Sequence, residues 1–227
     1  MIKNKVSVII RSKNEEKFIG NCIQSILDNI FKPEIIVIDN NSQDKTLEIV
    51  RYFIQDPFLK NNKEKNYTKI KILKIDDYTP GKSLNLGVKE CSNQNIMIIS
   101  AHCELTNFDI KKHLTDLEKY SCIFGNQIPV FYGKKITKRY IWSNFGDKSI
   151  ENYFSKHEDR YFIHNALCLY KKQILTKNPF DENLQGKEDR YWINKMMKKE
   201  TTRFLYDPIL EAKHNYTSDG NTWKGIG

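Results

Sequence analysis

Nowhere in these 227 residues does the chain gather the ~18 consecutive apolar residues that a membrane-spanning helix needs. The apolar run nearest the N-terminus, residues 6–10, has a strand's length and meets Arg11-Ser12-Lys13 at once, so a secretory leader is not expected. Cysteine is scarce and unpatterned. Cys22, Cys91, Cys103, Cys122 and Cys168 are odd in number and form no Cys-x-x-Cys pair, which argues against a zinc ribbon or a disulfide framework and for a reducing cytosol. They read as small buried hydrophobes rather than catalytic thiols. Glycine is missing from Arg11-Ser12-Lys13-Asn14-Glu15-Glu16, the segment that follows the first apolar run. That counts against a nucleotidyltransferase, in which a Gly-rich, basic loop is expected at this place. No internal repeat is evident.

What is present is an ordinary globular composition, 39% hydrophobic and 12% aromatic, with enough length for one sizeable domain. The net charge is +9. Many lysines fall in residues 60–74 and 134–139 without the regular aromatic interleaving of a single-strand binder, so nucleic acid is not an expected partner. The excess reads either as a solvated lysine-rich surface or as attraction to a membrane face or a lipid-phosphate acceptor.

Strand and helix signals alternate through the first hundred residues. Buried-strand runs occupy residues 6–10, 35–38, 70–73 and 96–99, with helical spacing over 15–28, from Thr46 to Phe53, and over 81–91. The polar stretch 55–68 reads as a loop. Repeats of about 30 residues of this kind mean βαβ units and a parallel sheet covered by helices. The second half is less regular: a helix over 108–117, a strand over 122–130, a mixed region over 131–163, a strand over 166–170, a helix over 187–199 and a short strand over 202–206 before Asp207-Pro208. The expected fold is a single α/β domain, Rossmann-like, with a mostly parallel central sheet and an irregular second half.

Ligands of open parallel sheets bind beyond the carboxyl ends of the strands. The first strand ends in Arg11-Ser12-Lys13-Asn14-Glu15-Glu16, the second in Asp39-Asn40-Asn41-Ser42-Gln43-Asp44, and the fourth in Ser100-Ala101-His102. Polar and titratable residues therefore collect at one sheet edge. Asp39, at a strand end, is suited to accept hydrogen bonds from the base or ribose of a nucleotide. Ser42 and Asp44 read equally as a helix cap.

Several of these pieces resemble the GT-A-fold family-two glycosyltransferases. V-S-V-I-I-R-S-K-N-E-E and E-I-I-V-I-D-N-N-S-Q-D-K-T are similar to the family's opening strand with N-E-E and its strand closing on D-x-x-S-x-D-x-T. P-G-K-S-L-N-L-G-V resembles its G-K-x-x-x-x-N-x-G helix, and P-F-D-E-N-L-Q-G-K-E-D-R-Y-W its F-D-E-x-L-x-G-x-E-D-x-D-W block. The similarity runs from Val6 to Trp192 and a little beyond, with a weak stretch in the middle.

The resemblance implies an inverting glycosyltransferase moving a sugar from a nucleotide-sugar donor to a hydroxyl of a glycan or lipid-linked acceptor. Bacterial capsule or other surface-polysaccharide synthesis is the implied setting, in the cytoplasm or at the inner face of the membrane by peripheral association. It gives Asp39 the nucleotide, places Glu15 near it, and puts Lys82, Ser100 and His102 on the donor side. Residues 1–104 become the nucleotide-binding half of one domain spanning 1–227, and 105–227 the acceptor half. Inversion requires a base beside the acceptor hydroxyl, which the family takes from a position matched by Asp189; Glu188 becomes an acceptor contact. Asn165 is a further acceptor-side candidate, and Trp192 reads either as a sugar platform or as core.

One departure matters. Most GT-A enzymes carry Asp-x-Asp where this chain has Ser100-Ala101-His102, a substitution resembling a rhamnosyl- and capsule-type subset. His102, sharing a cation with His214, would suit Mn²⁺ better than Mg²⁺. Without metal, His102 would donate a hydrogen bond to the diphosphate. A non-catalytic module that binds nucleotide-sugar or glycan is the rival of another class. The altered Ser-Ala-His favours it, and the retained Glu188-Asp189 opposes it.

Overall fold

Chain runs rich in valine and isoleucine become adjacent strands because both of their faces are covered. The computed structural model describes residues 5–56, 68–135 and 146–216. Its first half comprises β1 (Val6–Ser12), α1 (Ile19–Asn29), β2 (Glu34–Asp39), α2 (Thr46–Gln55), β3 (Lys69–Lys74), α3 (Pro80–Glu90) and β4 (Asn95–Ser100). Then follow β5 (Cys103–Asn107), α4 (Ile110–Asp116), β6 (Cys122–Phe131) and the two-residue strands β7 (Lys134–Lys135), β8 (Ile150–Glu151), β9 (Phe154–Ser155) and β10 (Arg160–Tyr161). The chain continues through β11 (Leu167–Lys171), α5 (Lys172–Lys177), α6 (Glu188–Met197) and β12 (Phe204–Asn215).

The main sheet runs β3-β2-β1-β4-β11-β6-β12-β5. Strands β3, β2, β1 and β4 are mutually parallel, β11 is antiparallel to both β4 and β6, and β12 is parallel to β6. Alternate residues of each strand serve opposite layers. Val8, Ile10, Ile35 and Val37 join α1 residues such as Ile19 and Ile23 on one side. Ile9, Ile36, Ile38 and Ile98 join Leu84 of α3 and Ile193 of α6 on the other. Each such side chain removed fully from water contributes about 1.5–3 kcal/mol, so the two layers fix the register of the sheet.

That register assembles the site. Ser12 pairs with Asp39 and Arg11 with Ser100, so the ends of β1, β2 and β4 lie side by side. The Ser100 amide donates to the Ala166 carbonyl at 3.1 Å, which brings the start of β11 to the same edge. His214 pairs with Cys103, next to His102.

Several expected elements change. The first helix begins at Ile19, because Glu15 to Phe18 form a turn whose Glu15 carbonyl accepts from the Phe18 and Ile19 amides. A strand at Cys103–Asn107 was not expected from the sequence. The short strand expected over 202–206 is β12, twelve residues long, and it runs past Pro208 through an irregularity between Asp207 and Glu211. His214 therefore lies within a strand. Part of the expected loop 55–68, the basic residues 136–139 and part of the mixed region 131–163 lie outside the described residues.

Candidate active site

Two loops at the ends of β1 and β2 hold each other. Asn14 and Asn41 both adopt left-handed backbone conformations, which asparagine tolerates better than most residues. The Asn14 amide donates to Ser42 Oγ at 2.9 Å, and Asn14 Oδ1 accepts from the Gln43 amide at 2.8 Å. Glu16 Oε2 accepts from the Lys45 amide at 3.0 Å. Asp39 is buried at the centre of this crossing, where it accepts from the Ser42 amide at 3.1 Å, Ser42 Oγ at 2.5 Å and Ser12 Oγ at 3.3 Å. Asp44 stays at the edge and organises α2, accepting from the Thr46 amide at 2.9 Å and Thr46 Oγ1 at 2.5 Å. Burial opposes its ionisation, but these bonds outweigh it and hold the carboxyl below its ordinary range. It thereby ties the first residue of α2 to the loop after β1.

Beyond β4, His102 Nδ1 lies 2.9 Å from Glu15 Oε1. A carboxylate only accepts, so Nδ1 carries the proton and Nε2 is left for a ligand. The ring stacks on His214 at 4.9 Å between centroids and 22° between planes. His214 Nδ1 is engaged by Gln127 Oε1, whereas its Nε2 is buried without a hydrogen-bond partner among the described residues. Burial first, then the neighbouring His102 and His164, push the His214 imidazolium well below its usual range. Ser100 supplies backbone here, its carbonyl accepting from Cys22 Sγ at 3.6 Å.

The α3 segment splits into two roles. Lys82 Nζ pairs with Asp77 at the rim. Asn85 instead clamps the strip before α6: its Oδ1 accepts from the Phe180 amide at 3.0 Å, and its Nδ2 donates to the Phe180 carbonyl at 3.0 Å and Glu182 Oε1 at 2.9 Å. Gly81 permits that approach, and Gly87 lets α3 lie close on β1 and β2. A Cβ on Gly81 would lie 2.2 Å from the Asp181 carbonyl oxygen, and one on Gly87 would lie 2.9 Å from Ile9 and Ile38.

That clamped strip delivers Glu188 and Asp189 to the start of α6, both buried. Glu188 Oε1 accepts from Arg11 Nη1 at 3.0 Å and faces Asn165 Nδ2 at 3.5 Å. Asp189 Oδ2 accepts from the Asn165 amide at 3.0 Å and Arg190 Nη1 at 2.8 Å, and Oδ1 accepts from the Arg190 amide at 2.8 Å. Burial works against the Asp189 carboxylate, yet the Arg190 guanidinium and these bonds hold its carboxyl below the usual range. Asn165 is fixed in turn by Tyr170 Oη, which donates to its Oδ1 at 2.7 Å. Trp192 belongs to the core: it packs against Tyr170 and Phe180 and donates from Nε1 to the Asn178 carbonyl at 2.7 Å. The reading of Trp192 as a sugar platform is thereby corrected. Tyr191 beside it is 55% exposed.

The structure thus brings Glu15, Asp39, Ser100, His102, His214, Glu188 and Asp189 to one edge of the sheet, with Lys82 at its rim. Sequence reasoning did not single out Arg11, Arg190 or Gln127. Arg11 and Glu188 are 177 positions apart, and no local pattern marks such a pair. Among the described residues no group of three or more His, Cys, Asp or Glu is placed to hold a metal ion. The nearest imidazole donors at this edge are the Nε2 atoms of His102 and His214.

The family model for glycosyl transferase family 2 matches residues 7–178. The GalNAc(5)-diNAcBac-PP-undecaprenol β-1,3-glucosyltransferase of Campylobacter jejuni is 26% identical over 198 residues, covering 84% of this chain and 59% of that protein. Glycosyltransferase AglE of Haloferax volcanii is 23% identical over 198 residues, covering 84% of this chain and 60% of its own. The chain therefore spans about three-fifths of these relatives. Among solved structures, residues 1–349 of S. aureus TarS with UDP-GlcNAc superpose with a TM-score of 0.69 at 18% identity, covering 95% of this chain and 60% of that one. GalNAc-T7 with UDP, GalNAc and Mn²⁺ superposes with a TM-score of 0.71 at 16% identity, covering 95% and 44%. These likenesses show the GT-A fold.

Proposed function

The chain belongs to glycosyl transferase family 2, and from that membership we propose that it moves a sugar from a nucleotide-sugar donor to a hydroxyl of a glycan or lipid-linked acceptor, inverting the anomeric carbon. The observation that carries this reading is the buried Glu188-Asp189 pair, held at the sheet edge where Asp39 and His102 also lie. The reaction needs a base beside the acceptor hydroxyl, which Asp189 would supply, and a donor pocket, to which Asp39 would contribute.

In the proposed mechanism Asp39 accepts from the base or ribose of the donor, supported by Ser12 and Ser42. Glu15, Lys82, Ser100 and His102 lie around the diphosphate. Asp189 takes the proton of the acceptor hydroxyl as that oxygen attacks the anomeric carbon. The bond from that carbon to the diphosphate oxygen breaks on the opposite face, and its electron pair leaves with the nucleoside diphosphate. Glu188, held by Arg11, accepts from a second acceptor hydroxyl. A divalent cation, when bound by His102 and His214, would neutralise charge on the diphosphate; imidazole donors favour Mn²⁺ over Mg²⁺. Residues 1–104 then serve the donor and 105–227 the acceptor.

The setting that we propose is bacterial surface-glycan synthesis, since one relative is named for an undecaprenol-linked substrate. No helix among the described residues is long and apolar enough to cross a membrane; peripheral contact with a lipid-linked acceptor is part of the proposal. UDP-sugars head the donor panel because two structural neighbours hold UDP or UDP-GlcNAc. The test is thermal shift and nucleotide release with UDP-, GDP-, dTDP- and CMP-sugars, with and without Mn²⁺. Binding and release with one of them are expected. Binding to none would overturn the proposal, and binding without turnover would leave a non-catalytic module.

A further inference from the structure

Arg190 folds back from the first turn of α6 onto the side chain that precedes it, with Nη1 2.8 Å from Asp189 Oδ2. The guanidinium also lies over the Phe162 ring at 4.3 Å, and its Nε stands 3.9 Å from Glu158 Oε1. Glu158 is shared with Arg160, which donates to it from Nε at 2.6 Å. An aromatic floor and a second carboxylate therefore fix where the guanidinium sits, and Asp189 lies in its path. An arginine whose only task was to cap a helix or to carry surface charge would need neither.

We propose that Arg190 is a positioning residue that keeps the Asp189 carboxylate ionised and aimed for proton abstraction; this rests on the reading of Asp189 as the base. The charged and titratable groups facing that carboxylate are few. Glu188 on the same helix turn is neutralised by Arg11 from β1. His164, before Asn165, is held neutral, pushed down to about 3 by burial and then by Arg190 itself. Tyr170, behind Asn165, is pushed well above its ordinary range by burial. Among the described residues Arg190 is thus the cation hydrogen-bonded to Asp189, and Arg11 acts on it from farther off. A buried carboxylate deprived of that partner takes up a proton. An incoming diphosphate would add negative charge to the same edge, so the need for a fixed cation is greatest with donor bound.

The experiment compares wild type, Arg190→Lys, Arg190→Gln and Asp189→Asn, each checked for retained fold by near-UV circular dichroism. The first readout is kcat/KM against pH for UDP release from the UDP-sugar that turns over fastest. The second is the Asp189 carboxyl titration by ¹³C NMR, assigned through Asp189→Asn. In Arg190→Gln the acid limb and the carboxyl titration are expected to move up together by about 1–3 pH units, with activity recovering at high pH. Arg190→Lys stays near wild type. A merely structural role would lower activity equally at every pH. If the carboxyl titration is unmoved in Arg190→Gln, the inference fails, whatever Asp189→Asn does. Full turnover in Asp189→Asn would instead overturn the base assignment, and the NMR titration would still decide whether Arg190 controls that carboxyl.

Discussion

His102 and Glu15 form a 2.9 Å pair that joins the end of β4 to the loop after β1. Because His102 Nδ1 donates to Glu15, the other ring nitrogen of His102 is the one presented to a ligand. His214, stacked against this ring, also has an Nε2 without a hydrogen-bond partner among the described residues. Chelation is expected to depress turnover, and Mn²⁺ to restore it better than Mg²⁺. His214→Ala should raise the Mn²⁺ concentration needed for half-maximal rate, with the fold retained. Full turnover after exhaustive chelation would contradict the metal reading.

Asp39 should control nucleotide affinity. Its carboxylate is set by Ser12 and Ser42, and a hydrogen bond to a charged group contributes about 1.5–3 kcal/mol. Asp39→Ala is therefore expected to weaken UDP binding by roughly 10–100-fold in titration calorimetry. Ser42→Ala should weaken it less, because the Ser42 amide still donates to Asp39.

Asn85 and Gly81 act on stability and on the placement of α6. Asn85→Ala removes the bonds that pin Phe180 and Glu182 and leaves buried backbone groups unpaired. A loss of about 1–3 kcal/mol in urea unfolding is expected. Gly81→Ala forces a methyl against the Asp181 carbonyl, and overpacking of this kind costs about 1–3 kcal/mol. Unchanged unfolding midpoints in both variants would remove the clamp from the account.

The motif-bearing half of the fold was legible in the sequence, and the physical reason is burial. Strands covered on both faces read as Val/Ile runs, and Asp39 was recognisable as the polar residue that ends one. Glu188-Asp189 was legible through the F-D-E-N-L-Q-G-K strip before it. The length of β12 was not, because Pro208 looks like a strand terminator and only the irregularity after Asp207 admits it. Trp192 was ambiguous for a similar reason: a Trp one turn into a helix looks alike whether it meets a sugar or, as here, Tyr170 and Phe180. Arg11 and Gln127 had no local signature, since their partners Glu188 and His214 lie far away in sequence.

Asp207 gives a prediction about acid stability. The side chain is buried where β12 becomes irregular, paired with Lys112 and 3.4 Å from His113 Nε2. Burial favours its neutral form, but His113, Lys112 and the Ile209 amide outweigh that and hold its carboxyl well below the ordinary range. A depressed folded-state value stabilises the fold above the unfolded value of about 3.9 and loses that contribution as pH falls further. Asp207→Asn should be less stable than wild type near neutrality, and its stability should fall less steeply below about pH 4. Parallel stability–pH curves for the two proteins would contradict this.

The central claim is that nucleotide binding and proton abstraction reside in different carboxylates of one sheet edge. Asp189→Asn tests it most directly, with UDP affinity and UDP-sugar turnover measured on the same preparation. Turnover is expected to fall by roughly 10²–10⁴-fold, with UDP affinity close to that of wild type. Wild-type turnover in Asp189→Asn would contradict the account, as would a loss of UDP binding as large as that of Asp39→Ala.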